Sequence, residues 1–139
     1  MNPLYSKIET AGNKFAGCKI KNNCAVISYC ALTGEDYGTA EYILEEYAGY
    51  TRKGSKSKWN QTHPDHGWEG IFKAFVAMGY TVDRLKSFEY DAKTCVTLER
   101  DPKLRSGKYL VMVSNGRHAL ALVNGEIIDW TQNRRHRIK

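Results

Sequence analysis

Apolar positions follow a helical period in the first half of the chain and a strand period in the last third. From Cys24 to Leu32 nearly every residue is small or apolar and none is charged. Such a segment predicts a helix that is buried on most sides. Asn22 or Asn23 is expected to supply an N-cap side chain, and Gly34 suits a left-handed C-terminal cap. Cys24 is thereby predicted in the first turn of a buried helix.

Apolar stripes with helical spacing predict two more helices, over 37–47 and over 68–78. The polar stretch 49–67 between them is too long for a simple connector, so we interpret it as a mobile or functional loop. Residues 1–23 show little periodicity and are predicted to form a loop with one short strand.

The last third of the chain predicts strands. Three apolar runs have strand length: 109–113, 118–123 and 126–130. Asn115-Gly116 and Asn124-Gly125 separate these runs, and Asn-Gly is a strong hairpin signal. A short strand is predicted over 81–85 and a short helix or turn over 91–98. The expected fold is α+β, with N-terminal helices packed on a C-terminal antiparallel sheet.

Length and composition fit one globular domain spanning 1–139, with 42% hydrophobic and 26% charged residues. A chain of this size needs no metal or disulfide to fold. Its composition excludes disordered, collagen-like and coiled-coil proteins. No apolar run approaches the ~20 residues of a membrane span. Met1 to Thr10 lacks a signal-peptide pattern, so we expect a soluble, cytoplasmic protein without a membrane partner.

The net charge is +6, from 21 basic and 15 acidic residues, and much of the excess lies in 14–21, 52–58 and 134–139. Such clusters are candidates for binding nucleic acid or an acidic protein. A solvated surface is the interpretation we favour, because aromatic residues are not interleaved with the basic ones as single-strand binding requires. Near the clusters lie only Trp59 and Trp130.

The four cysteines, Cys18, Cys24, Cys30 and Cys95, form no Cys-x-x-Cys pair. Zinc-ribbon and thioredoxin-like classes lose their main support, and disulfides are not expected in a chain without a secretory signal. We assign Cys30 and Cys95 to the core. Cys24 is a candidate nucleophile, because the unpaired N–H groups and dipole of a helix start stabilise a thiolate.

The last predicted hairpin brings a histidine to a carboxylate. If Asn124-Gly125 is a two-residue turn, Leu120 lies opposite Asp129. His118 shares a face with Leu120, because side chains alternate with period two. His118 and Asp129 are then diagonal neighbours, and the carboxylate can fix the imidazole tautomer. Nucleophile, base and orienting acid are therefore predicted to be Cys24, His118 and Asp129.

Several short motifs resemble the papain-like cysteine peptidase superfamily, particularly its small bacterial and bacteriophage members. The resemblance covers about 22–130 and rests on Asn23-Cys24-Ala25-Val26, Gly34-x-x-Tyr37, Gly107-x-Tyr109-Leu110-Val111, Gly116-x-His118-Ala119-Leu120-Ala121-Leu122 and Gly125-x-Ile127-x-Asp129. It implies a papain-like fold and a cysteine hydrolase that cleaves a peptide or isopeptide bond. The resemblance also implies that Cys24 is the nucleophile, that His118 is the general base and that Asp129 orients His118.

Many members of that superfamily carry a glutamine before the cysteine that completes the oxyanion hole, whereas this chain has none there. The candidate substitutes are Asn22, Asn23 and Lys19. The alternative function is a catalytically weak or inactive protein on the same scaffold, which binds nucleic acid or an acidic partner through its basic surface. A transferase that resolves the same acyl-enzyme with an amine is a third interpretation.

The segment His63-Pro64-Asp65-His66 contains three side chains that could bind a metal. A turn is the interpretation we favour, because no fourth ligand stands at zinc spacing. No metal or cofactor is expected. Trp59, His66 and Trp68 are candidates for lining a substrate groove.

Overall fold

The computed structural model describes residues 2–82, 95–113 and 118–129. Its helices are α1 (Pro3–Ala16), α2 (Cys24–Thr33), α3 (Tyr37–Ala48), α4 (Trp68–Ala77) and α5 (Cys95–Arg100), and a short 3-10 helix spans Pro102–Leu104. Its strands are β1 (Tyr50–Lys53), β2 (Lys56–Trp59), β3 (Lys108–Val113), β4 (His118–Val123) and β5 (Glu126–Ile128). Helices precede the three-stranded antiparallel sheet, so the expected α+β class is confirmed.

Several predictions fall outside the described residues. They are residues 83–85 of the strand predicted at 81–85, residues 91–94 of the predicted helix or turn, the Asn115-Gly116 turn, Trp130 and the basic cluster 134–139. Residues 81 and 82 are described and are not in a strand.

The predicted N-terminal loop is wrong, because Pro3–Ala16 forms helix α1. Asn2 caps its start: the side-chain oxygen accepts hydrogen bonds from the N–H groups of Leu4 and Tyr5 at 2.9 and 3.2 Å. The buried face of α1 includes Gly12, and a Cβ there would lie 2.6 Å from the Tyr37 ring. The Tyr37 ring of α3 occupies the space beside Gly12. Because glycine itself is not counted as an apolar position, the helical period of this segment is not visible in the sequence.

The predicted helices in the middle of the chain are confirmed as α2, α3 and α4. Eight consecutive residues of α2, from Ala25 to Leu32, are buried, as expected of a helix that is apolar all round. Gly34 ends it in the left-handed conformation, with φ of 79°. Helix α2 packs between α1, α3 and strand β4, which makes it the centre of the core.

The stretch interpreted as a mobile or functional loop begins with a β-hairpin, in which β1 pairs with β2. Tyr50 lies opposite Trp59, with ring centroids 5.9 Å apart, and its hydroxyl hydrogen-bonds the buried Ser57 hydroxyl at 2.6 Å. The exposed Lys56 and Lys58 flank Ser57. A strand with lysines on one face and only a small polar residue and one aromatic on the other carries a weak apolar signal.

The hairpin also contacts the segment that precedes α2. Lys21 forms a parallel bridge with Lys56, and its backbone N–H donates to the Ser55 carbonyl at 2.9 Å. This contact sets the β1–β2 hairpin beside the residues that lead into Cys24.

The register predicted for the last hairpin is confirmed. Val123 pairs with Glu126 and Ala121 with Ile128. Asn124 and Gly125 have φ of 49° and 82°, as a two-residue type I′ turn requires. Asp129 directly follows β5 and is 2% exposed. The predicted strand 126–130 therefore ends at Ile128, and the Asp129 carboxylate lies inside the protein just after β5, which pairs with the strand that carries His118.

Candidate functional site

Cys24 is the first residue of α2 and its side chain is partly exposed. The first-turn N–H groups of a helix have no carbonyl one turn back to bond, so they face any anion at this end. Asn23 is the N-cap residue of α2, but its side chain does not form the predicted capping hydrogen bond. Asn23 instead donates from Nδ2 to the Tyr37 hydroxyl at 3.1 Å, which ties its amide to α3. That leaves the first turn of α2 without a side-chain cap.

The backbone of β4 contacts the thiol. The N–H of Ala119 donates to Cys24 Sγ at 3.5 Å, across 95 residues of sequence. The contact brings a backbone donor from β4 to the sulfur. The sequence did not predict this contact, although Ala119 adjoins the predicted base His118 and belongs to the same motif.

His118 lies between the thiol and Asp129. Its Nε2 hydrogen-bonds Asp129 Oδ1 at 2.9 Å, so Nδ1 is the ring nitrogen that remains for Cys24. Burial alone lowers the pKa of His118, but hydrogen bonds to Asp129 and Cys24 outweigh burial and raise it to about 9. These contacts therefore favour the protonated form of the imidazole.

Cys30 differs from Cys24 in environment. Cys30 is 4% exposed, and burial raises its pKa to about 12. This agrees with its assignment to the core. Cys18 is partly exposed, and the side chain of Cys95 lies outside the described part.

A cleft of about 420 Å³ opens beside Cys24 and His118. The other residues that line it are Tyr5, Asn22, Asn23, Ala25, Tyr50, Ser57, Lys58 and Trp59. Of the predicted groove residues, Trp59 lines this cleft, whereas His66 and Trp68 do not. Of the oxyanion-hole candidates, Asn22 and Asn23 line it, whereas Lys19 does not.

Sequence reasoning missed the contributions of α1 and of the β1–β2 hairpin to the cleft. Tyr5 from α1 is 6% exposed, and its pKa is raised by burial first and then by the nearby charges of Glu9, Asp129 and Cys24. Tyr50, Ser57 and Lys58 come from the hairpin. Only the Asn2-Pro3 pair, a helix-start signal, pointed to α1 in the sequence.

His63 has a structural role in the turns before α4. Its Nδ1 accepts the Asp65 N–H at 3.1 Å, which leaves Nε2 to donate to the Glu46 carbonyl at 3.0 Å. Both ring nitrogens are therefore used within the protein. Across residues 2–82, 95–113 and 118–129, no three His, Cys, Asp or Glu side chains are grouped as a metal site would need.

No helix in the described part is both long and apolar enough to cross a bilayer. Comparison of the chain with protein-family models, with curated proteins and with solved structures finds no match.

Proposed function

We propose that the protein is a cysteine hydrolase of papain-like fold that cleaves a peptide or isopeptide bond, with Cys24, His118 and Asp129 as its catalytic groups. The observation that carries the proposal is the sequence of contacts from Asp129 through His118 to the Cys24 thiol. A thiol, an imidazole and a carboxylate in this order are the parts of a thiol nucleophile with its base and orienting group. A cytoplasmic location belongs to the same proposal.

The reaction starts from the proton held by His118. A protonated imidazole and the Ala119 N–H beside the sulfur favour the thiolate, which attacks the substrate carbonyl carbon. The new C–S bond forms as the carbonyl π electrons move to oxygen. When the carbonyl re-forms, the C–N bond breaks and the amine leaves with the proton from His118.

Water completes the cycle. Neutral His118 removes a proton from water, and the hydroxide attacks the thioester carbon. The C–S bond breaks, which releases a carboxylic acid and returns the thiolate beside the protonated imidazole. Asp129 holds His118 through Nε2 in both halves of the reaction.

The oxyanion needs donors near the start of α2. The Cys24 N–H lies in the uncapped first turn and is one donor within this proposal. Asn22 is the better candidate for the second, because it lines the cleft and is exposed. The Asn23 amide is already bonded to Tyr37, and Lys19 lies outside the cleft lining.

Limited alkylation with iodoacetamide near neutral pH, followed by peptide mass spectrometry, tests the nucleophile. Cys24 should be labelled before Cys18, Cys30 and Cys95, and His118→Ala should remove that preference. Equal labelling of Cys24 and Cys18 would contradict the proposal.

A library of peptides then tests hydrolysis. Cys24→Ser should abolish cleavage and Cys18→Ser should retain it. Products with a new carboxylate indicate a hydrolase, whereas amide-exchanged products indicate a transferase.

A further inference from the structure

Two basic clusters that are far apart in the sequence meet beside the cleft. The Lys21–Lys56 bridge joins the segment 14–21 to the hairpin that carries 52–58. The exposed lysines brought to this region are Lys19, Lys21, Lys56 and Lys58. The fold thereby concentrates positive charge around the hairpin and the approach to α2.

Lys58 is the lysine of this group that lines the cleft with Cys24. The lining contains no aspartate or glutamate. Within residues 2–82, 95–113 and 118–129, the ion pairs formed by basic side chains are those of Arg52 with Glu41, Lys73 with Asp65 and His118 with Asp129. Lys58 is in none of these pairs and is exposed.

A cleft whose charged side chains have one sign concentrates the opposite charge. Resting on the proposed function, we infer that the substrate is an acidic peptide segment, with a carboxylate side chain that Lys58 binds next to the scissile carbonyl. The chemistry favours a peptide over nucleic acid, because a thiolate needs an acyl carbon to attack. Of the three aromatic side chains in the lining, Tyr5 and Tyr50 are buried, so Trp59 alone offers a face on which a base could stack.

Two alkylating reagents of nearly equal size separate charge preference from thiol reactivity. Iodoacetamide is neutral and iodoacetate carries a carboxylate. The ratio of their rate constants at Cys24 measures the attraction of that carboxylate to the cleft. The iodoacetamide rate by itself measures whether Cys24 is an activated nucleophile.

Lys58→Gln should lower the iodoacetate-to-iodoacetamide ratio at Cys24 by about two- to fivefold, since removal of one partly screened charge from the cleft lining has an effect of that order. The matched control is Lys53→Gln, because Lys53 is exposed on β1 and does not line the cleft. This control should leave the ratio unchanged.

The outcomes separate the two proposals. An unchanged ratio in Lys58→Gln, or an equal fall in Lys53→Gln, overturns the acidic-substrate inference while a fast iodoacetamide reaction still supports the nucleophile. An iodoacetamide rate at Cys24 no faster than at Cys18 overturns the proposed function itself.

Protection of Cys24 from iodoacetamide tests the peptide directly. A tetraglutamate peptide should slow alkylation more than a tetraglutamine peptide, and Lys58→Gln should remove the difference. Equal effects of the two peptides overturn the inference. So does protection by a short oligothymidylate that matches or exceeds that of tetraglutamate, which would assign the cleft to nucleic acid.

Discussion

The N–H of Ala119 donates to the sulfur of Cys24 at 3.5 Å, which joins the start of β4 to the start of α2. The neighbouring residue, His118, supplies the imidazole to the same thiol. Two consecutive residues of one strand thus provide a backbone donor and a side-chain base. The position of β4 against α2 is therefore the relationship that brings both groups to the Cys24 thiol.

Asp129→Asn should reduce the rate of peptide hydrolysis by roughly 10²–10⁴-fold, because His118 is the acid–base group and Asp129 positions it. The amide cannot stabilise the imidazolium as a carboxylate does, so the pKa of His118 should fall. The measurement is the pH dependence of iodoacetamide alkylation at Cys24, whose profile should change shape in the variant. An unchanged profile would show that Asp129 does not act through His118.

Stability should depend on pH through His118. Burial lowers its pKa, but the bonds to Asp129 and Cys24 raise it from 6.5 to about 9 in the folded protein. A group with a raised folded pKa contributes stability that is complete below the unfolded value and is lost as pH rises. The free energy of unfolding should therefore fall by a few kcal/mol at most between about pH 6.5 and about pH 9.

Urea unfolding at several pH values across that window measures the fall. His118→Gln is the control, because it removes the imidazole and keeps the titrating groups that do not contact it. The same fall in both proteins would contradict the assignment to His118.

Gly12→Ala should destabilise the protein by about 1–3 kcal/mol, as overpacking of a close contact does. The added methyl would lie 2.6 Å from the Tyr37 ring. The sign of the change in the free energy of unfolding is informative, because a glycine-to-alanine substitution at an unconstrained helix position stabilises a protein by about 1 kcal/mol. Thermal unfolding measures it, and Thr10→Ala on the exposed side of α1 should change stability little.

Asn22→Gly should lower kcat by about 10²–10³-fold if the Asn22 amide stabilises the oxyanion. Glycine is the suitable replacement because Asn22 has φ of 58°, a left-handed conformation that most side chains disfavour. Lys19→Ala is the control, since Lys19 lies outside the cleft lining. Equal kcat values in Asn22→Gly and the unmodified protein would remove Asn22 from the oxyanion hole.

Local patterns in the sequence predicted the parts of the site that depend on short-range geometry. The Asn124-Gly125 turn fixes the register of its hairpin, and the register places His118 near Asp129. The uncharged run after Asn23 likewise predicts α2 with Cys24 at its first position. Both inferences use only the side-chain periodicity within a single hairpin or a single helix.

The cleft could not be predicted in the same way, because its walls come from distant segments. Tyr5 reaches it from a helix whose packed face contains Gly12, and Lys58 reaches it from a strand with weak apolar alternation. Ala119 and Cys24 are 95 residues apart in the sequence. The local pattern around either residue gives no indication that the two are in contact. Such contacts follow from how whole elements pack.

Helix α2 is enclosed by the core over Ala25 to Leu32, and Cys24 is its first residue. A buried helix of this kind opens only when the tertiary structure around it is lost. Exposure of the Cys24 thiol by denaturant should therefore coincide with global unfolding, without an earlier phase in which the start of α2 opens alone. The local stability around the thiol therefore equals the global stability of the protein.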